Sequence, residues 1–170
     1  MELIKLFLLG ASGYLLAALY DIALLFRKYR LSRILYAGFF VTALPFVWLF
    51  IQHRSPHSSL VTVLLLLLMG ISLLLVVYSV LLEIPLKKSE TDTLYTKGTY
   101  RLCRHPGFWW YSFFTLFSAV YFWYAPIVLV HFGFILCNFL LVVLEDFVLF
   151  PRMFPQYGEY KKVTPFLFPF

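Results

Sequence analysis

A chain of 170 residues that is 62% hydrophobic, 21% aromatic and only 13% charged carries more apolar surface than a body of its size can bury. Soluble domains hold about 25% charged residues, and small ones leave much of their surface outside, so these proportions exclude a soluble globular domain and call for a bilayer as cover. The formal charge of +6 does not indicate a nucleic-acid partner, because the basic residues sit in short tracts between apolar runs, the pattern of anchoring to anionic lipid.

Five apolar runs are long enough for a helix rising about 1.5 Å per residue to cross a core of about 30 Å: residues 3–26, 34–51, 60–82, 108–124 and 126–144. The fold class expected is therefore all-α, a polytopic membrane protein of about five transmembrane helices forming a single membrane domain over 1–170. The first run opens like a signal peptide, with Lys5 and then the small residues Gly10 to Gly13, but it continues past any cleavage site and reads as a retained span. Asp21, near the inner end of that run, is expected to pair with Arg27 or Lys28. The fourth and fifth runs meet at Ala125-Pro126 with almost no loop; proline is suited to the first turn of a helix, so a tight helical hairpin is expected. His131 and Asn138 share one face of the last run and are expected to hydrogen-bond between helices. Cys103 and Cys137 form neither a disulfide framework nor a thiolate metal set, and no metal site is expected.

With five spans, one side of the membrane receives Arg27, Lys28, Arg30, Arg33, Lys87, Lys88, Lys97, Arg101, Arg104, Arg152, Lys161 and Lys162, and the other only Lys5 and Arg54. This asymmetry predicts the N-terminus outside and the C-terminal segment in the cytoplasm. It also places residues 94–106 and 145–170 in one compartment, joined by a hairpin that brings its ends together.

Those two polar stretches hold the residues able to do chemistry. In the first, Gly98 and Pro106 bracket Tyr100, Arg104 and His105: an aromatic plate, a permanent cation suited to bidentate grip of a carboxylate, and an imidazole able to move a proton near neutral pH. A basic loop that binds lipid headgroups is the plainer reading of the same residues. Glu145-Asp146 closes the last run. Acids at the end of an apolar helix are costly without a partner and are disfavoured by the negative end of the helix dipole, so a cation is expected there, either Arg104 or a positively charged ligand. In the tail, Tyr157 and Tyr160 lie about one helical turn apart, placed to stack on a purine or a cationic sulfur or to form an interfacial aromatic belt. The tail prolines Pro151, Pro155, Pro165 and Pro169 break any long helix, and the segment is expected to fold over the site or lie at the interface.

Gly98-x-Tyr100-x-x-x-Arg104-His105-Pro106-x-Phe108, a span pair, Glu145-Asp146, then Tyr157-x-x-Tyr160 and a proline-containing end resembles the isoprenylcysteine carboxyl methyltransferase and phospholipid methyltransferase superfamily of integral membrane methyltransferases. The resemblance covers about residues 94–169; residues 1–93 match only as generic transmembrane helices. It implies a cofactor-binding catalytic part over 94–170, S-adenosylmethionine as cofactor, and methyl transfer to a lipid-like or isoprenoid acceptor at the cytoplasmic face. It further implies Leu94, Tyr95, Tyr100, His105, Pro106, Glu145, Tyr157 and Tyr160 as cofactor contacts, with Arg104 and Glu145 as the catalytic pair. A bacterial plasma membrane is the expected location. Phe108, Leu141 and Phe154-Pro155 depart from the family pattern. A non-catalytic scaffold or degenerate relative therefore stays open, as does an NADPH-dependent membrane reductase of related architecture.

Overall fold

The computed structural model describes residues 2–83 and 94–168. Lys87, Lys88 and Pro169, counted above in the charge asymmetry and the tail, lie outside them. Helix α1 (Glu2–Leu25) ends where Arg27 takes a left-handed backbone. Three short helices follow: α2 (Tyr29–Leu35), α3 (Gly38–Val41) and α4 (Leu44–Gln52). Helix α5 (Ser59–Val76) runs on into a π-helical turn, Val77–Leu82. After a 3-10 turn (Gly98–Arg101) come α6 (Pro106–Phe122) and α7 (Ala125–Leu144). Helix α7 continues through a second π-helical turn, Glu145–Leu149, into α8 (Phe150–Met153), and α9 (Tyr157–Val163) lies in the tail.

Four helical stretches are long and apolar enough to cross a bilayer: Glu2–Leu25, Tyr29–Gln52, Ser59–Leu82 and Ala125–Met153. No more than 28% of any of their apolar windows is buried within the chain, so most of their side chains need cover from outside. Two boundaries differ from the sequence expectation. The second stretch starts among the basic residues after Lys28 and is broken into α2, α3 and α4, a division that its apolar run does not reveal. The fourth expected span is α6, whose 17 residues rise about 25 Å at ~1.5 Å each and make it the shortest of the set.

Helix α6 packs between α5 and α7, and α1 packs against the far side of α7 and against α2, α3 and α4. The expected hairpin joins α6 to α7. Trp123 takes a left-handed conformation that ends α6, and Pro126 sits in the first turn of α7. Close contact between α1 and α3 rests on two glycines. A Cβ on Gly13 would press on the backbone of Thr42, and one on Gly38 would press on Leu16, the small-residue contact that lets membrane helices approach. One hydrophobic core cluster is formed by Tyr14, Phe46, Val130 and Phe134. His131 is fully buried in it. Its Nδ1 faces the Ile127 carbonyl at 2.8 Å, so that nitrogen carries the proton, and Nε2 accepts from the Ser118 hydroxyl of α6 at 2.8 Å, the expected bond between helices.

Candidate functional site

Each long helix that ends near the polar segment 94–106 ends in a π-helical turn with an acid, Glu83 after α5 and Glu145-Asp146 after α7. A π turn adds a residue to the helical repeat and leaves carbonyls out of register. In the first, the Ser79 carbonyl accepts from the Tyr100 hydroxyl at 3.1 Å. Glu83 is fully buried and holds the start of the polar segment: its carboxylate accepts from the Thr99 N–H at 2.9 Å, from the Thr99 hydroxyl, and from the Tyr95 hydroxyl at 3.4 Å. Gly98 takes φ +60° directly against it, where a Cβ would collide with the Glu83 carboxylate. Gly98→Ala is therefore expected to cost about 1–3 kcal/mol and to raise proteolysis of the 94–101 segment, read by chemical denaturation and limited digestion.

The second π turn builds the larger cluster. Asp146 has no exposed surface and gathers four partners. The Arg104 guanidinium meets it in a two-pronged pair, Nε to Oδ1 at 2.6 Å and Nη2 to Oδ2 at 3.1 Å. The Tyr157 hydroxyl donates to Oδ1 at 2.6 Å, and Lys161 Nζ lies 3.0 Å from Oδ2. His105 lies with Nε2 3.4 Å from Asp146 Oδ1 and Nδ1 3.4 Å from Glu145 Oε2. Its ring stacks on Phe150 and meets the edge of Phe166. Nε2 is buried without an aligned hydrogen bond. The tail closes over this cluster. Arg104 N–H donates to the Pro165 carbonyl at 3.0 Å, Arg104 Nη1 to the Thr164 carbonyl at 2.6 Å, and Trp109 Nε1 to the Leu167 carbonyl at 2.7 Å.

These contacts revise three expectations. Glu145-Asp146 does not close the last helix: the chain stays helical through Met153, because buried cations and a hydroxyl satisfy Asp146 within the turn. Arg104 is the expected cation for that acid, but its guanidinium is thereby engaged and stands as a strut rather than as a grip for a ligand carboxylate. Asp21 does not pair with Arg27 or Lys28, which lie exposed past the left-handed turn. It is buried on α1, which packs against the Glu145–Leu149 turn. Among the residues missed, Glu83 and Lys161 gave only the weak signal of a charge beside an apolar run.

The cofactor contacts expected from the resemblance fall into two joined groups. Arg104, His105, Glu145 and Tyr157 meet around Asp146. Tyr95 and Tyr100 stand edge to face with ring centroids 5.8 Å apart, beside Glu83. Tyr160 ties the groups together through its hydroxyl, which donates to the Tyr100 carbonyl at 2.5 Å. Leu94 is half-buried at the start of the segment, and Pro106 is buried as the first residue of α6. A cleft of about 440 Å³ opens beside the cluster, lined by Arg101, Leu102, Lys161, Lys162, Val163, Thr164 and Pro165. It does not lie between His105 and Glu145, which touch directly. Among the described residues, no set of His, Cys, Asp and Glu side chains is grouped to hold a metal ion.

Burial pushes the Tyr157 and Tyr160 phenols up, with the Asp146 carboxylate adding to the rise at Tyr157, so both remain hydroxyl donors. Burial also raises the Cys103 thiol and keeps it protonated. At His105, burial opposes the charged ring, but the neighbouring carboxylates of Asp146 and Glu145 outweigh it and hold the imidazole above its ordinary value. A group raised on folding stabilises the fold fully below its unfolded value, about pH 6.5, and that contribution is lost as pH rises through the folded value. The stability gap between the parent chain and His105→Ala is therefore expected to narrow as pH rises above about 6.5, measured by denaturation in detergent as a function of pH.

The fold and the exposed apolar faces together define an all-helical chain built for a membrane, with a buried ionic cluster at one end. No family model, no curated protein and no solved structure matches it.

Proposed function

We propose that the chain is an integral membrane methyltransferase that uses S-adenosylmethionine to methylate a lipid-like or isoprenoid acceptor at the cytoplasmic face. The observation that carries this reading is the contact of His105 with Glu145, two residues far apart in the chain that the α6–α7 hairpin sets 3.4 Å apart. Two features fit the cofactor. The Glu145 carboxylate has no Lys or Arg partner among the described residues, which suits it to an ammonium. The buried Nε2 of His105 makes no aligned hydrogen bond and can donate to an acceptor such as the carboxylate of the cofactor. When bound, the cofactor supplies an electrophilic methyl group on a sulfonium.

The residues of the chain then have positioning to do, which alone supplies several kcal/mol when donor and acceptor are held in line. Glu145 binds the cationic end of the cofactor. Tyr95 and Tyr100 offer rings for the adenine. Arg104 fixes the tail over the site and thereby excludes water. An amphiphilic acceptor enters sideways from the bilayer.

A second reading, a non-catalytic scaffold, draws on the internal satisfaction of the Arg104–Asp146–Lys161–Tyr157 cluster and on the direct packing of His105 against Glu145. Thermal shift of the purified chain separates the readings. Stabilisation by S-adenosylhomocysteine and none by NADPH is the result expected; stabilisation by NADPH alone would indicate a reductase, and silence to both a scaffold.

A further inference from the structure

The cleft beside the cluster is walled by two distant parts of the chain, the end of the 3-10 turn at Arg101 and Leu102, and the end of α9 with the residues after it. The walls are fastened to each other: the Tyr160 hydroxyl donates to the Tyr100 carbonyl at 2.5 Å, and the Arg104 N–H to the Pro165 carbonyl at 3.0 Å. The charge of the cleft is one-sided. Arg101, Lys161 and Lys162 line it, and no acid among the described residues does. Behind Lys161, the single carboxylate of Asp146 is met by two cations, Arg104 and Lys161, and so leaves a positive charge over. Lys161 keeps 29% of its side chain exposed. Arg101 is exposed and meets no carboxylate among the described residues. Lys162 pairs only with the exposed Glu159, a bond weak enough for a ligand to replace. The carbonyls of Lys161, Thr164 and Pro165 accept from Arg104 instead of opposing an anion in the cleft. A concave surface lined by one sign of charge concentrates the opposite sign. Its rim is apolar: Val163 is 80% exposed and Leu102 57%. A small soluble anion would leave those side chains in water, whereas a phospholipid meets the cations with its phosphate and covers the rim with its chains. The cleft also lies at the end of the bundle where α6 begins, joined to it through Arg104.

We infer that this cleft holds the phosphate of an anionic phospholipid between Arg101, Lys161 and Lys162, with an acyl chain laid over Leu102 and Val163. The bound lipid bridges the 3-10 turn to α9 and adds a further fastening to the tail. The site is separate from the contact of His105 with Glu145, and nothing in it requires methyl transfer.

Native mass spectrometry of the full chain, released from detergent micelles containing phosphatidylglycerol or phosphatidylcholine of the same acyl chains, counts the lipid retained. Preferential retention of phosphatidylglycerol is expected, weakened about fivefold by Arg101→Gln and again by Lys162→Gln, the effect of one basic residue at an anionic lipid surface. Val163→Glu sets a negative charge at the rim and should weaken retention as well. All three positions are exposed, so the bundle stays intact. Arg30→Gln with Arg33→Gln removes two exposed cations of α2 outside the cleft lining and should leave retention unchanged. A loss there as large as in the cleft variants would show that net charge alone holds the lipid, and would overturn the site. Equal retention of the two lipids, or undiminished retention in the cleft variants, would overturn it too. Displacement of the lipid by excess inorganic phosphate would overturn the lipid in favour of a free anion.

Discussion

Asp146→Ala is expected to be the most damaging single substitution in the chain, lowering unfolding free energy by about 3–5 kcal/mol, the range for removing one partner of a buried ion pair. The reason is what it leaves behind. Arg104, only 7% exposed, would keep its charge with no carboxylate to meet it, and Tyr157 and Lys161 would lose their common acceptor. The charge would be uncompensated at the point where tail, α6 and α7 join, so the loss should appear as early release of the tail. Denaturant titration in detergent, followed by tryptophan fluorescence, gives the free energy; limited proteolysis gives the location. Replacing both partners, Arg104→Leu with Asp146→Leu, should recover part of the loss, because no buried charge is then stranded. A loss below about 1 kcal/mol, the range of exposed pairs, would show that the cluster does not fasten the tail.

The second large effect concerns ligand binding. His105→Ala and Glu145→Ala are each expected to weaken S-adenosylhomocysteine binding at least tenfold, about 1.4 kcal/mol. Glu145→Gln should lose nearly as much, since it keeps the shape and removes only the charge. His105 and Glu145 touch, so the double variant should lose less than the sum of the two. Retained folding, checked by the thermal midpoint of each variant, separates this from damage to the bundle. Undiminished affinity in both single variants would remove the proposed site altogether.

Much of this arrangement was legible in the residues themselves. The lengths of the apolar runs and the proline at 126 place the α6–α7 hairpin, and the hairpin in turn brings residue 105 to residue 145. The cost of acids beside an apolar helix points to a cation, and Arg104 meets Asp146. Features set by packing between distant helices were not legible. Nothing local to Asp21 shows that it is buried where α1 packs against the Glu145–Leu149 turn rather than paired with a basic residue just past α1; that follows from the glycine contacts that draw α1 into the bundle and from the left-handed turn that sends Arg27 outward. The π-helical continuation past Glu145 was hidden for a similar reason, since the partners that make a buried acid tolerable there lie before α6 and in α9.

The closing of the tail sets an order of events in the making of the protein. Carbonyls of Thr164, Pro165 and Leu167 hold Arg104 and Trp109, so every long helix can already be inserted while the ionic end still gapes. A message truncated before codon 164 would yield a chain with its membrane helices in place and an Arg104 only half held, a ready target for quality-control proteases.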